Sequence, residues 1–333
     1  MDLETIDGPI LIAGAGALGS VIGGMLRSAG NDVSLLGRPP HLDAIDRRGL
    51  TVEGLLGCRK VSGFELYRDA GELGRRRFAT IFVTVKSYDT ATAAPLLARH
   101  LEHDGIAISA QNGLGNIEIL GREVGDDAVL GARLIFGAEI AEPGRVRVTV
   151  MAEPVAIGPA PQSGGCATPT LAARAGRIAA ALCAAGVPSQ PVADVRPYLW
   201  TKLFYNAALN PLGALLKLNY GAIGADPELR PIMDQIIEEA FVLARRAEVA
   251  LPFATAAEYR AIFYDRLIPA TREHYPSMLA DLERRGRTEI GALNGRIVEM
   301  SDAAGLAAPA NRMITALIRA RERSWRRNAL EDR

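Results

Sequence analysis

The chain has 333 residues, 49% of them hydrophobic, and its 38 lysines and arginines are balanced by 38 aspartates and glutamates. That length carries two domains with sizeable cores, and that apolar fraction excludes general disorder. Zero formal net charge gives no support to a nucleic-acid partner or an acidic membrane surface, and no apolar run is long enough to span a bilayer.

Residues 9–13 are a short apolar run of the kind that forms a buried parallel strand. Gly14, Ala15, Gly16, Ala17, Leu18 and Gly19 follow at once, then a helical pattern to Ala29 and a second strand at residues 32–36. Strand, glycine turn, helix, strand is the context that a dinucleotide fingerprint requires. Gly14 permits the tight turn, Gly16 leaves the helix N-terminus open to a pyrophosphate, and Gly19 lets helix and strand pack closely. An NAD enzyme carries a carboxylate after the second strand for the ribose 2′-hydroxyl; here the residues are Leu36, Gly37 and Arg38. A guanidinium matches a 2′-phosphate, so Arg38 predicts NADPH rather than NADH.

Residues 78–85 form another apolar strand, ending in Lys86 and Ser87. Residues 106–109 form the next, ending in Gln111, Asn112 and Gly113. Ligands on open α/β sheets gather at the carboxyl ends of strands, which makes Lys86 and Asn112 candidates to touch cofactor or substrate. A solvated charge and a simple Asn-Gly turn are the alternatives. Residues 145–150 alternate, and residues 155–158 read as their antiparallel neighbour in a hairpin that extends the sheet. A loop at 159–169, an alanine-rich helix at 171–185 and a last short strand at 188–192 follow. Beyond Asp194 only helical patterns remain, broken near Pro211, Pro252, Pro269, Pro276 and Pro309. The expected class is α/β: a Rossmann-type domain over residues 1–193 and an all-helical domain over residues 194–333.

Within the helical part, residues 199–209 read as a helix closed by Pro211. Lys202, Asn206 and Asn210 stand four residues apart on it, so they form one polar stripe among Trp200, Leu203, Phe204 and Leu209. An unpaired buried polar group costs about 1–3 kcal/mol, so internal partners or a ligand must satisfy the stripe. The alternative is a lysine snorkelling to the surface and two asparagines tying helices together. Further on, Ser277 follows Pro276 and fits a helix N-cap, where a hydroxyl beside free N–H groups suits a carboxylate. Glu289 precedes Ile290 and Leu293; spacing alone also fits an exposed helix carboxylate.

Cys58, Cys166 and Cys183 lack metal-type spacing and read as reduced thiols. His41, His100, His103 and His274 are too scattered for a metal site, and His100 and His103 are expected to be exposed near the end of a polar helix. The arginines at 75–77 and from Arg319 to Arg327 read as solvated faces. With no signal peptide ahead of the first strand, a soluble cytoplasmic protein is expected.

Taken together, the glycine loop, Arg38, Lys86, Asn112 with Gly113, the Lys202, Asn206 and Asn210 series, Ser277, Glu289 twelve residues on, and Asn294 with Gly295 resemble ketopantoate reductase (2-dehydropantoate 2-reductase) from about residue 8 to 321. The resemblance implies NADPH-dependent reduction of 2-dehydropantoate to pantoate, a step of pantothenate biosynthesis. It also implies a C-terminal domain like that of 6-phosphogluconate dehydrogenase, with the active site in the cleft between the domains. It makes Lys202 the acid at the carbonyl and sets Asn206 and Asn210 on the substrate. Ser277 falls at the substrate's carboxylate side, Glu289 at its hydroxyl end or the lysine, and Lys86 and Asn112 on the cofactor side. A β-hydroxyacid dehydrogenase and an NADPH-binding protein without turnover are the competing readings. Two departures leave the chemistry standing and open the identity of the 2-oxo acid. Tyr220 replaces a family asparagine, with Asn219 adjacent but out of register, and residues 133–138 are more apolar than in the family. The apolar helical domain is compatible with a homodimer.

Overall fold

The first strand, β1 (Ile10–Ala13), is buried along its whole length. Ile10 and Ile12 enter one core cluster, Leu11 and Ala13 another. A strand that is apolar on both faces has to be covered on both, and that requirement gives the N-terminal unit its layers. The computed structural model describes residues 5–161 and 167–331, with side chains through residue 324. Cys166, and the side chains of Arg326 and Arg327, lie outside the described residues.

Among the described residues the sheet has ten strands. After β1 these are β2 (Val33–Leu36), β3 (Leu50–Gly54), β4 (Arg59–Val61), β5 (Glu65–Tyr67), β6 (Phe78–Val83), β7 (Leu101–Ser109), β8 (Val129–Glu142), β9 (Arg145–Gly158) and β10 (Ser189–Pro191). Their order is β4-β3-β9-β8-β7-β6-β1-β2-β5, with β10 beside β9. Helices α1 (Ala17–Ser28), α2 (Pro39–Arg48) and α5 (Pro169–Ala184) fill one face; α3 (Thr90–His100) and α4 (Asn116–Val124) fill the other. β1 pairs in parallel with β2 on one side and β6 on the other. The winding therefore reverses at β1, and Gly14 and Thr84 stand at the carboxyl ends that flank the reversal.

The hairpin differs from expectation. Residues 145–158 are one strand, and its antiparallel partner is β8, not a second piece of itself. Glu153 and Pro154 resemble a turn, but the ladder shifts register between Arg133 and Phe136, opposite them, and so absorbs a residue that cannot donate. The turn lies instead at Pro143 and Gly144. β3, β4 and β5 were not anticipated; each is three to five residues long with charged residues in it, too short for a periodic pattern. His100 is buried rather than exposed, its Nδ1 at 2.8 Å from the Arg76 carbonyl, and His103 stands exposed on β7. Cys58 and Cys183 are free thiols. Among the described residues no helix is long and apolar enough to cross a membrane.

The second unit comprises Arg196–Arg333 and, from the loop after β7, Asn112–Gly115. Its helices are α6 (Arg196–Leu216), α7 (Tyr220–Ala225), α8 (Arg230–Arg246), α9 (Ala256–Ile262), α10 (Ile268–Ala270), α11 (Ser277–Glu283), α12 (Asn294–Ala303) and α13 (Pro309–Glu331), with a π turn at Phe263–Leu267. They enclose one core that includes Phe204, Leu209, Ile236, Tyr259, Phe263 and Ile297. The 112–115 segment is tied in by the Leu114 N–H, which donates to the Ala292 carbonyl at 3.1 Å. Gly113 is obligatory there: its φ is +81°, and a Cβ would sit 2.3 Å from that same oxygen.

Pro211 does not end α6; the helix runs through it to Leu216. A proline has no N–H for the carbonyl four residues back, here that of Ala207. Asn294 takes the vacant place: its Nδ2 donates to the Ala207 oxygen at 3.0 Å and to Asn311 Oδ1 at 3.0 Å. Asn311 Nδ2 donates in turn to Glu239 Oε2 at 2.7 Å. Glu239 also accepts the Ala310 and Asn311 N–H groups at the start of α13. All three side chains are buried. Asn294→Ala leaves two acceptors unpaired and is expected to cost about 2 kcal/mol or more in urea unfolding. The cost should shrink when Pro211→Ala is also present, because residue 211 then supplies the missing N–H. Equal costs in both backgrounds contradict this account.

Candidate active site

The three loop glycines are required for different reasons. Gly14 has φ +111°, and a Cβ on it would meet the Val85 nitrogen at 2.5 Å. On Gly19 a Cβ would meet the Gly14 carbonyl at 2.4 Å and Thr84 Oγ1 at 2.6 Å. Both are therefore fixed by the protein's own packing. Gly16 is not. It stands exposed at the start of α1 with φ −83°, and the nearest atom to a Cβ would be 3.9 Å away. Nothing in the fold excludes a side chain there, so the open space fits an approaching pyrophosphate. No side chain caps α1 and its first turn carries no acidic residue, which leaves the amides from Ala17 and Leu18 onward for an anion. Ala15 is buried against Gly37, where a Cβ would come within 2.8 Å of its own.

Arg38 follows Gly37 directly, exposed, at the start of α2. Its guanidinium makes no hydrogen bond or ion pair among the described residues, so its donors are available to a phosphate. Lys86 is half-buried at the head of a one-turn helix, Ser87–Asp89, after β6. A buried polar chain that the sequence reading missed holds this corner. Gln111 Nε2 donates to the Val85 carbonyl at 2.9 Å and to Thr90 Oγ1 at 2.7 Å, and Thr90 donates to Asn116 Oδ1 at 2.9 Å. Isolated Gln, Thr and Asn carry no spacing signal, so only the fold reveals the chain.

In the helical unit, α6 presents Lys202, Asn206 and Asn210 along one stripe, as the spacing predicts. Lys202 is half-buried; Asn206 and Asn210 are 8% and 5% exposed. Asn206 has no side-chain partner among the described residues. Asn210 uses its Oδ1 to accept the Tyr220 hydroxyl, and its Nδ2 has no partner among them. The internal-tie alternative is thus met for one of the four asparagine amide ends. Glu289 is neither exposed nor within a long helix: it sits 8% exposed in the turn before α12. Asn112 Nδ2 donates to its Oε2 at 3.3 Å. Glu322 of α13 clamps the adjacent residue, accepting both the Thr288 N–H and its hydroxyl at 2.7 Å. Ser277 is the first residue of α11 and exposed; Pro276 takes the cap position, so Ser277 is not the expected N-cap. Asn219 caps α7 through the Ala222 N–H at 2.9 Å.

The glycine geometry separates fold from ligand. Gly16→Ala is expected to weaken dinucleotide binding at least about tenfold while costing less than about 1 kcal/mol of stability, whereas Gly14→Ala costs several-fold more stability. Fluorescence titration beside urea unfolding checks this; unchanged dinucleotide affinity in Gly16→Ala contradicts it.

Comparison with known proteins bears on the whole chain. Residues 10–162 match the family model described as ketopantoate reductase PanE/ApbA, and residues 194–322 match its C-terminal counterpart. The 2-dehydropantoate 2-reductase of Aquifex aeolicus is 36% identical over 312 residues, covering 94% of this chain and 96% of that one. Its namesake from Pyrococcus horikoshii is 31% identical over 318 residues, covering 94% and 97%. Among solved structures, the PanE/ApbA family ketopantoate reductase from Ralstonia eutropha JMP134 superposes with a TM-score of 0.80 at 34% identity, covering 95% of this chain and 99% of that one. With both halves matched in order and near-complete coverage on each side, the chain belongs to the ketopantoate reductase (PanE/ApbA) family.

Proposed function

We propose that the chain is an NADPH-dependent oxidoreductase that reduces a small branched 2-oxo acid, 2-dehydropantoate, to pantoate in pantothenate biosynthesis. The observation that carries this reading is the stripe on α6. Asn206 and Asn210 are nearly buried, yet Asn206 and the Nδ2 of Asn210 have no partner among the described residues. Neither amide is among the sealed, unpartnered polar atoms of the described residues, so their free ends stay accessible, and a substrate's oxygens can take them up. The relatives named above, which act in this family as 2-dehydropantoate 2-reductases, support the choice of acid.

NADPH, when bound, would supply the hydride for the ketone carbon. The Lys202 ammonium hydrogen-bonds the ketone oxygen, stabilises the negative charge that grows there, and gives it a proton. Ketone, hydride and proton together make the alcohol, and the lysine is left neutral. Asn206 and Asn210 orient the acid. Glu289, held by Asn112, faces the substrate's hydroxyl end or the lysine, and Ser277 stands at the carboxylate side. The Gly14 to Gly19 loop, Arg38 and Lys86 would hold the cofactor, with Arg38 serving its 2′-phosphate. Asn112 completes the cofactor side. The protein works in the cytoplasm as a homodimer; a Staphylococcus aureus ketopantoate reductase, of like fold, is described as dimeric.

A spectrophotometric assay of NADPH loss against a panel of 2-oxo acids tests the reading. The highest kcat/KM is expected with 2-dehydropantoate; no NADPH loss with any branched 2-oxo acid contradicts it. Lys202→Ala is expected to lower kcat by roughly 10²–10⁴-fold with NADPH affinity nearly unchanged, the loss typical of one acid or oxyanion donor. Near-normal turnover in that variant removes Lys202 from the mechanism. Arg38→Ala is expected to weaken NADPH, with NADH little changed, in parallel titrations. Equal weakening of both cofactors contradicts the assignment of Arg38 to the 2′-phosphate.

A further inference from the structure

The residue that departs from the family's asparagine, Tyr220, is built into the α6 stripe. It opens α7, is 3% exposed, and donates its hydroxyl to Asn210 Oδ1. Its placement is fixed on several sides. The Tyr220 N–H donates to the His274 carbonyl at 3.0 Å. Its ring lies edge-on to Tyr205, centroids 5.6 Å apart, and to His274 at 5.2 Å. Gly221, where a Cβ would come within 3.0 Å of Arg272, lets that loop close over the start of α7. Burial holds the Tyr220 phenol well above the usual tyrosine range, so it stays a neutral hydroxyl. A buried O–H needs an acceptor, and Asn210 Oδ1 is the one it has.

That bond decides which end of the Asn210 amide is left over. An amide has one accepting end and one donating end. With Oδ1 committed to Tyr220, only Nδ2 remains, and Nδ2 has no partner among the described residues. We infer that Tyr220 is a positioning residue for substrate selection: it locks the Asn210 amide with its donor end presented, so that this position binds an acceptor oxygen of the 2-oxo acid. The inference rests on the reductase reading, in which Asn210 touches substrate. Tyr220 acts through Asn210, since its own hydroxyl proton is committed to Oδ1.

Steady-state kinetics with NADPH and 2-dehydropantoate on wild type, Tyr220→Phe, Asn210→Ala and the double variant test it. Phenylalanine keeps the ring contacts and removes only the hydroxyl. Tyr220→Phe is expected to raise KM for the 2-oxo acid about three- to tenfold, the scale of one hydrogen bond, with KM for NADPH unchanged. On the Asn210→Ala background the same change should have no further effect, because the group it positions is gone. A merely structural role for Tyr220 would lower Tm and the active fraction and leave KM alone. Asn210→Asp gives a second reading. The Tyr220 bond survives, but the outward atom becomes an acceptor, so KM should rise beyond that of Asn210→Ala. The inference is overturned if Tyr220→Phe keeps the wild-type KM, if its effect multiplies with that of Asn210→Ala, or if Asn210→Asp binds the acid better than Asn210→Ala. A wild type that reduces no 2-oxo acid overturns the reductase reading and this inference together; an active wild type with an indifferent Tyr220→Phe overturns this inference alone.

Discussion

A helix that carries a lysine and two asparagines into an apolar core depends on how those groups are satisfied. In α6 the hydrophobic face is complete without them: Leu203, Phe204, Ala207, Ala208 and Leu209 are all buried. Replacing the asparagines by leucine would be the cheaper solution for folding alone, since buried amides gain little and cost much when unpaired. Their unused donors are the ground for proposing α6 as a binding surface as well as a core element. The rest of the helical unit supports that surface. Asn294 supplies the hydrogen bond that Pro211 cannot, Tyr220 holds one end of Asn210, and Glu322 and Asn112 hold the turn that carries Glu289.

The same division between fold and ligand runs through the dinucleotide loop. Gly14 and Gly19 answer to contacts inside the N-terminal unit, with Thr84 bonded to the Gly14 carbonyl between them. Gly16 answers to nothing inside it. At the head of an uncapped α1, directly after β1, that open space leaves room for a pyrophosphate. Arg38, exposed and unpaired among the described residues beyond the second strand, has its donors open for the phosphate proposed above.

Much of this was legible in the sequence, for identifiable reasons. β1 reads as a strand because its apolar run is unbroken and β6 because only Thr80 interrupts its own, and α6 reads as a helix because four-residue spacing lays its polar groups on one face. The failures have causes just as specific. Pro211 looked like a terminus because the asparagine that repairs the helix lies 83 residues later. Residues 145–150 and 155–158 read as two paired strands because the register shift that carries Pro154 within one strand belongs to the partner strand. Asn112 looked like part of the sheet domain because it follows β7, yet its contacts are with Glu289 and its neighbour Leu114 bonds Ala292. In each case a local signal was overridden by a partner distant in the chain, which no window of residues contains.

The most direct test watches the two asparagines themselves. With 15N-asparagine labelling and assignment through Asn206→Ala and Asn210→Ala variants, the side-chain amide resonances are followed as pantoate is added to the NADP+ complex. Both amides are predicted to shift saturably with pantoate and at most weakly with NADP+ alone, because their free donors find the acid's oxygens. Resonances that stay put at saturating pantoate, while pantoate binding is seen by calorimetry, would contradict the claim that the α6 stripe exists for the substrate.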